Sequence, residues 1–167
     1  MKKLILMLMM FAPLATFAQQ KFGHLNAQEV MNSMPEFIKA RGEVEAQAKT
    51  YENDLKSMQT ELQRKAEEYD KTKSTMNATK QQETEAELQT LSQKIQQTYQ
   101  DNSQALQKLQ QEKMDPITTK LVNAIKSVGD RDGYVYIMDV SAGIPYISST
   151  KSTDVTADVK AELAKMK

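Results

Sequence analysis

The sequence predicts an α+β protein in which a long antiparallel helical-hairpin coiled coil projects from a small β-rich oligomerisation body. Three observations lead there. From Glu36 to about Val128 the chain holds one glycine, Gly42, and one proline, Pro116, among abundant Glu, Lys, Gln, Ala and Leu, a composition that favours helix throughout. Apolar residues in that stretch recur at heptad spacing in two runs separated by a polar break, which describes two helices folded against each other. Strand-forming residues flank the stretch, Lys21 to Asn26 before it and Tyr134 to Val140 after it, so both ends meet in one sheet.

The hairpin follows from the period. With a positions at Arg41, Ala48, Leu55, Leu62, Tyr69 and Met76, and d positions at Phe37, Val44, Tyr51, Met58, Lys65 and Thr72, nine of twelve are apolar. A second, looser seam runs through Leu88, Leu91, Ile95, Thr98 or Tyr99, Asn102, Ala105 or Leu106, and Leu109. Between them, Asp70 to Lys80 is polar, β-branched and poor in helix formers, so the chain turns there. If the turn centres between Asn77 and Ala78, residue i faces roughly residue 155 − i and the two apolar stripes meet along their whole length. A first helix from Glu36 to about Ser74 reaches roughly 58 Å at the usual rise. A two-helix arm of that length buries one stripe per helix and needs an anchor.

The body supplies it. Gly129 to Gly133 reads as a helix stop and loop. Asp115-Pro116 reads as a helix restart, followed by Ile117, Leu121, Ala124, Ile125 and Val128 at helical spacing. Ile144 to Ser148 is the expected third strand, and Thr156 is the expected N-cap of a last helix, Ala157 to Lys165. The division is therefore 1–18 as a signal peptide, 19–35 with 115–167 as the body, and 36–114 as the arm. Three short strands do not close a core alone, and sharing sheets and apolar helix faces between protomers is the economical remedy. The oligomerisation candidates are Phe22, Leu25, Val135, Ile137 and Tyr146.

Export is read from the start of the chain. Lys2 and Lys3 precede an apolar run from Leu4 to Leu14, and Thr16-Phe17-Ala18 places small residues where a signal peptidase cleaves. The run is short for a bilayer span, which needs about twenty apolar residues. Cleavage near Ala18 leaves 20 basic against 22 acidic groups. That balance lacks the basic footprint of a nucleic-acid binder.

Enzymatic candidates are few. The chain has no cysteine and one histidine, His24, which excludes thiol catalysis and Cys/His zinc sites. There is no phosphate loop of the Gly-x-x-x-x-Gly-Lys type, and no cofactor is expected. His24 reads as a sheet or interface histidine, Asp139 as a turn-forming or capping residue, and Thr156 as a cap. On the arm, Leu55, Met58, Leu62, Leu88, Leu91 and Ile95 are seam, whereas Met76, Tyr99 and Leu106 lie off the strict seam or near the tip and are the candidates for contact with a client. Lys71, Lys73 and Lys80 read as a solvated turn.

These residues resemble a known family, the periplasmic holdase chaperones called Skp or OmpH, over essentially the whole mature chain. The resemblance rests on Phe22 to Met31 leading to Met34-Pro35-Glu36, on Pro116-Ile117, on Gly133 to Asp139, on Tyr146, and on Asp154 to Val159, in that order around a long coiled coil. It implies a periplasmic homotrimer with three helical tentacles around a cavity, holding unfolded outer-membrane β-barrel proteins without ATP. The best-known members are strongly basic and this chain is near neutral, so no lipopolysaccharide or membrane site is carried over. The alternative from the residues alone is a structural coiled-coil envelope protein or assembly subunit without a client. Both readings predict long helices and oligomers, and suppression of client aggregation separates them.

Overall fold

A computed structural model describes residues 20–166. The signal-peptide reading and the cleavage position fall outside the described residues. Strand β1 (Lys21–Leu25) leads to a short helix α1 (Ala27–Ser33), started by Asn26, whose side chain accepts the Glu29 N–H at 3.0 Å. Helix α2 (Pro35–Thr72) follows, with Pro35 in its first turn, where a missing N–H costs nothing. One turn of 3-10 helix, Lys73–Thr75, reverses the chain. Asn77 then caps α3 (Ala78–Asp132), accepting from Lys80 N–H at 2.8 Å.

The hairpin register matches the arithmetic. Among the described residues, the polar contacts between the two helices join Glu36 to Lys120, Glu43 to Lys113, Lys65 to Glu87, Tyr69 and Lys73 to Glu85, and Gln81 to the Lys73 carbonyl. Each pair lies within about three positions of the residue 155 − i rule, as expected for continuous antiparallel packing. Every expected a and d position of α2 except Arg41 is at least half-buried. In α3 the seam takes Thr98 and leaves Tyr99 exposed.

Helix α3 departs from the expected restart at Pro116: it runs unbroken through that residue, and the expected body boundary at 115 lies inside it. An interior proline costs about 3 kcal/mol. Just beyond it, Ile117, Leu121 and Val128 are buried, each stabilising by about 1.5–3 kcal/mol, so packing outweighs the lost hydrogen bond. The expected loop at Gly129 is likewise helical, because the helix continues until Gly133 adopts φ +70° and closes it.

Strand β2 (Tyr134–Asp139) then pairs parallel with β1, with a register shift between Lys21 and Phe22 that leaves Val135 unpaired. The third strand is not Ile144 to Ser148. Pro145 within that segment has no N–H to donate, and β3 is Ser152–Asp154, parallel to β1 on its other side. The sheet order is β2-β1-β3. Gly23 in the central strand is required by close approach, since a Cβ there would meet Ile137 Cγ1 at 3.0 Å and Tyr134 Cδ1 at 3.2 Å.

Helix α4 (Thr156–Leu163) ends the fold. Thr156 is its first residue and not its N-cap. The start is secured by Asp154, whose Oδ1 accepts from the Thr156 N–H at 2.9 Å and from its hydroxyl at 2.6 Å. The Thr156 hydroxyl oxygen in turn accepts the Asn26 N–H at 3.1 Å. The core lies between the sheet, α1, α4 and the last third of α3, with Leu25, Val30, Val128, Val155 and Val159 wholly buried.

Candidate functional site

The arm offers surface, and its seam decides which side chains are left over. A two-helix coil buries little, and between Ala40 and Ile117 only Tyr69 is buried. Tyr69 sits just below the tip, donates its hydroxyl to Glu85, and lies under Lys73 Nζ at 5.3 Å from its ring centre. The Glu85 carboxylate holds the phenol neutral, pushing its pKa up to about 12. At the base, Lys113 holds the Glu43 carboxyl, and Lys120 the Glu36 carboxyl, below the usual range. An open groove of about 300 Å³ lies there, floored by Ala40, Pro116 and Ile117 between those two ion pairs.

The three candidates for client contact are placed differently. Tyr99 is 65% exposed, because Thr98 fills the seam beside it. Leu106 is half-buried and lies seven residues on, about 10 Å along the same side of α3. Met76 is half-buried in the tip, with its N–H donating to the Lys73 carbonyl and its own carbonyl accepting from Gln81. It lies about 35 Å from Tyr99 along the helix, so the fold brings Tyr99 and Leu106 together and leaves Met76 apart.

The body presents the second surface. Phe22 stacks on Tyr136 with ring centres 4.8 Å apart, and Tyr146 is 78% exposed. With His24, Met138 and Lys151 these line a pocket of about 150 Å³ on the outer face of the sheet. Val135 is 57% exposed on β2, an edge strand. Ile137 is half-buried and packs on the core, and Leu25, 1% exposed, is inside it. Of the five oligomerisation candidates, then, Phe22, Val135 and Tyr146 have surface to offer, and Ile137 and Leu25 stand behind it. Tyr136 and Met138, both exposed on the same strand, belong with the first group. Alternation about the inward Ile137 already places both outward, whereas the exposure of Val135 follows from the register shift at that residue.

His24 shares a hydrogen bond of 2.8 Å between Nδ1 and Ser152 Oγ, the sheet role expected of it. Asp139 closes β2 onto α1: its Oδ1 accepts from the Ala27 N–H at 3.1 Å and the Ser141 N–H at 2.9 Å. Burial works against its ionisation, yet the Ser141 hydroxyl and these two N–H donors hold its carboxyl below the usual range. Among the described residues no group of three His, Cys, Asp or Glu is placed to hold a metal ion, and no helix is long and apolar enough to cross a membrane.

A long two-helix arm on a small parallel sheet defines a coiled-coil hairpin protein. This chain belongs to the outer membrane protein (OmpH-like) family, whose profile matches residues 21–163. The chaperone protein Skp of Pectobacterium atrosepticum is 28% identical over 156 residues, covering 91% of this chain and 90% of that one. The chaperone protein Skp of Yersinia enterocolitica is 28% identical over 149 residues, covering 87% of each. The crystal structure of an outer membrane chaperone candidate (OmpH-like) from Caulobacter crescentus CB15 shares the fold, with a TM-score of 0.75, 17% identity and coverage of 89% of this chain and 87% of that chain.

Proposed function

We propose that this chain is an ATP-independent holdase chaperone of the periplasm, a homotrimer whose arms enclose unfolded outer-membrane proteins and prevent their aggregation. The observation that carries this reading is the extent of the likeness to proteins named Skp chaperones, which spans arm and body together over about nine-tenths of both chains in the first relative. Residues 19–35 and 115–167 act as the trimerisation body and 36–114 as the tentacle. The open β2 edge and the exposed Val135, Tyr136, Met138 and Tyr146 support assembly through the sheet, since exposed apolar strand edges are otherwise an aggregation hazard. Phe22 contributes through its stack on Tyr136, and Ile137 and Leu25 support that surface from behind.

Capture falls to the arms, with Tyr99 and Leu106 as contacts along α3 and Met76 at the tip. Many weak contacts over a long surface sum to strong but reversible holding, and caging keeps client strands from pairing with one another. The test is light scattering of a urea-unfolded β-barrel protein diluted with and without the mature chain. The holdase reading expects suppression at about one trimer per client. Unchanged scattering would favour a structural coiled-coil protein.

A further inference from the structure

The two helices of the arm carry different surfaces. Along α2 the exposed face is laced with ion pairs, Arg41 to Glu45, Lys49 to Glu52, and Arg64 to both Glu61 and Glu68. Along α3 from Leu88 to Gln107 only Lys94 and Asp101 are charged. With Lys108 they recur every seven residues, which confines them to one flank of the seam. On the other flank, also at sevens, stand Ser92, Tyr99 and Leu106.

The outer face between the flanks is amide. Gln93, Gln97, Gln100, Gln104, Gln107 and Gln111 follow one another at alternating steps of four and three, and all are exposed. Gln97 donates to Asp101 at 2.8 Å. The side chains of the other five make no hydrogen bond to another described residue. A glutamine amide both donates and accepts, whereas lysine only donates and a carboxylate only accepts. A peptide unit of an unfolded chain likewise offers one donor and one acceptor, so a row of amides suits it whatever its side-chain charges, and Tyr99 adds a flat apolar contact.

We infer that the capture surface is this uncharged face of α3, the glutamine row together with Tyr99 and Leu106, and that its ligand is extended, unfolded polypeptide held through peptide groups and apolar side chains, independently of salt and of the client's charge. The inference rests on the holdase reading. A positive or negative cage would instead select clients of opposite charge and weaken as salt screens it.

The test uses the mature protein, a fluorescently labelled, urea-unfolded eight-stranded β-barrel chain, and the same chain with its lysines succinylated. Between about 50 and about 500 mM NaCl, and between the two clients, Kd should change by less than about threefold, where capture by charge would change it by more than about tenfold. Gln100→Glu with Gln107→Glu should weaken binding of the succinylated client by about tenfold at low salt and recover at high salt. Tyr99→Ser should weaken both clients by about fivefold or more. A steep salt dependence of the unmodified protein overturns the inference, as does a double Glu variant that treats the clients alike. So does a double Glu variant that alters sedimentation while leaving client affinity unchanged, since the face would then join arms of two copies. If the unmodified protein binds neither client, it is the holdase reading that fails.

Discussion

Tyr69 donates its hydroxyl to Glu85 across the hairpin, one buried ring fixing the register of two helices just below their turn. Tyr69→Phe keeps the ring beneath Lys73 and deletes only that bond, so the melting temperature should fall by about 2–4 °C with helix content unchanged. Because the folded-state pKa is raised, this contribution is complete below the ordinary tyrosine pKa of about 10 and is lost as pH rises toward about 12. An ultraviolet titration should find one of the six tyrosines ionising last, and in Tyr69→Phe that late step should be missing.

Leu25 and Tyr146 separate folding from assembly. Leu25→Ala removes a wholly buried side chain and should cost about 2–5 kcal/mol in urea denaturation. Tyr146→Ser alters an exposed ring and should leave protomer folding intact while shifting the oligomer toward smaller species in sedimentation at low concentration. Unchanged sedimentation of Tyr146→Ser would place Tyr146 outside the interface.

Asp139 and Asp154 make the body sensitive to acid. The Thr156 hydroxyl and N–H hold Asp154 below the usual range, and Asp139 is lowered as well, by Ser141 and Ala27 against its burial. A depressed folded-state pKa contributes stability above the ordinary aspartate value and loses it as pH falls through the lowered one. Melting temperature should be flat from neutrality to about pH 5 and drop below about pH 4. Asp139→Asn should lower stability at pH 7 by about 1 kcal/mol and flatten the acid limb, read from thermal melts across that range.

The arm was legible in the sequence because its signals are local: the heptads of Tyr51, Leu55, Met58 and Leu62 and the polar break after Tyr69 act within a few residues. Tyr99 was legible for the same reason, since displacement from a seam is a matter of spacing. The misreadings at Pro116 and at the third strand are tertiary. Pro116 continues a helix because Ile117, Leu121 and Val128 join a core with Leu25, Val30, Val155 and Val159, none of them near in sequence. Ser152–Asp154 has little strand propensity of its own and is extended because β1 offers a free edge beside it. At Thr156 the cause is local: its type suggests a cap, while the capping oxygen is two residues earlier, on Asp154. The inward place of Leu25 is again tertiary, for the strand pattern marks it as apolar without saying which core it joins.

Tyr99 and Leu106 should respond differently to the same substitution. Tyr99→Ser removes a mostly exposed ring and should leave the melting temperature within about 1 °C while reducing protection of a β-barrel client. Leu106→Ser touches a half-buried seam neighbour and should reduce both, with a stability loss of about 1–2 kcal/mol. Thermal melts paired with aggregation assays distinguish the two.

Protection by the arms is the central claim, and deleting them tests it most directly. Removal of residues 51–104, closed by a short Gly-Ser turn between the facing Thr50 and Ala105, takes paired heptads from both helices and leaves the sheet, Pro116 and α4 in place. The measurement is light scattering of a diluted, urea-unfolded β-barrel protein, with sedimentation of the variant run alongside. The account predicts an oligomer that no longer suppresses scattering, and an armless oligomer that protects as well as the full chain would contradict it.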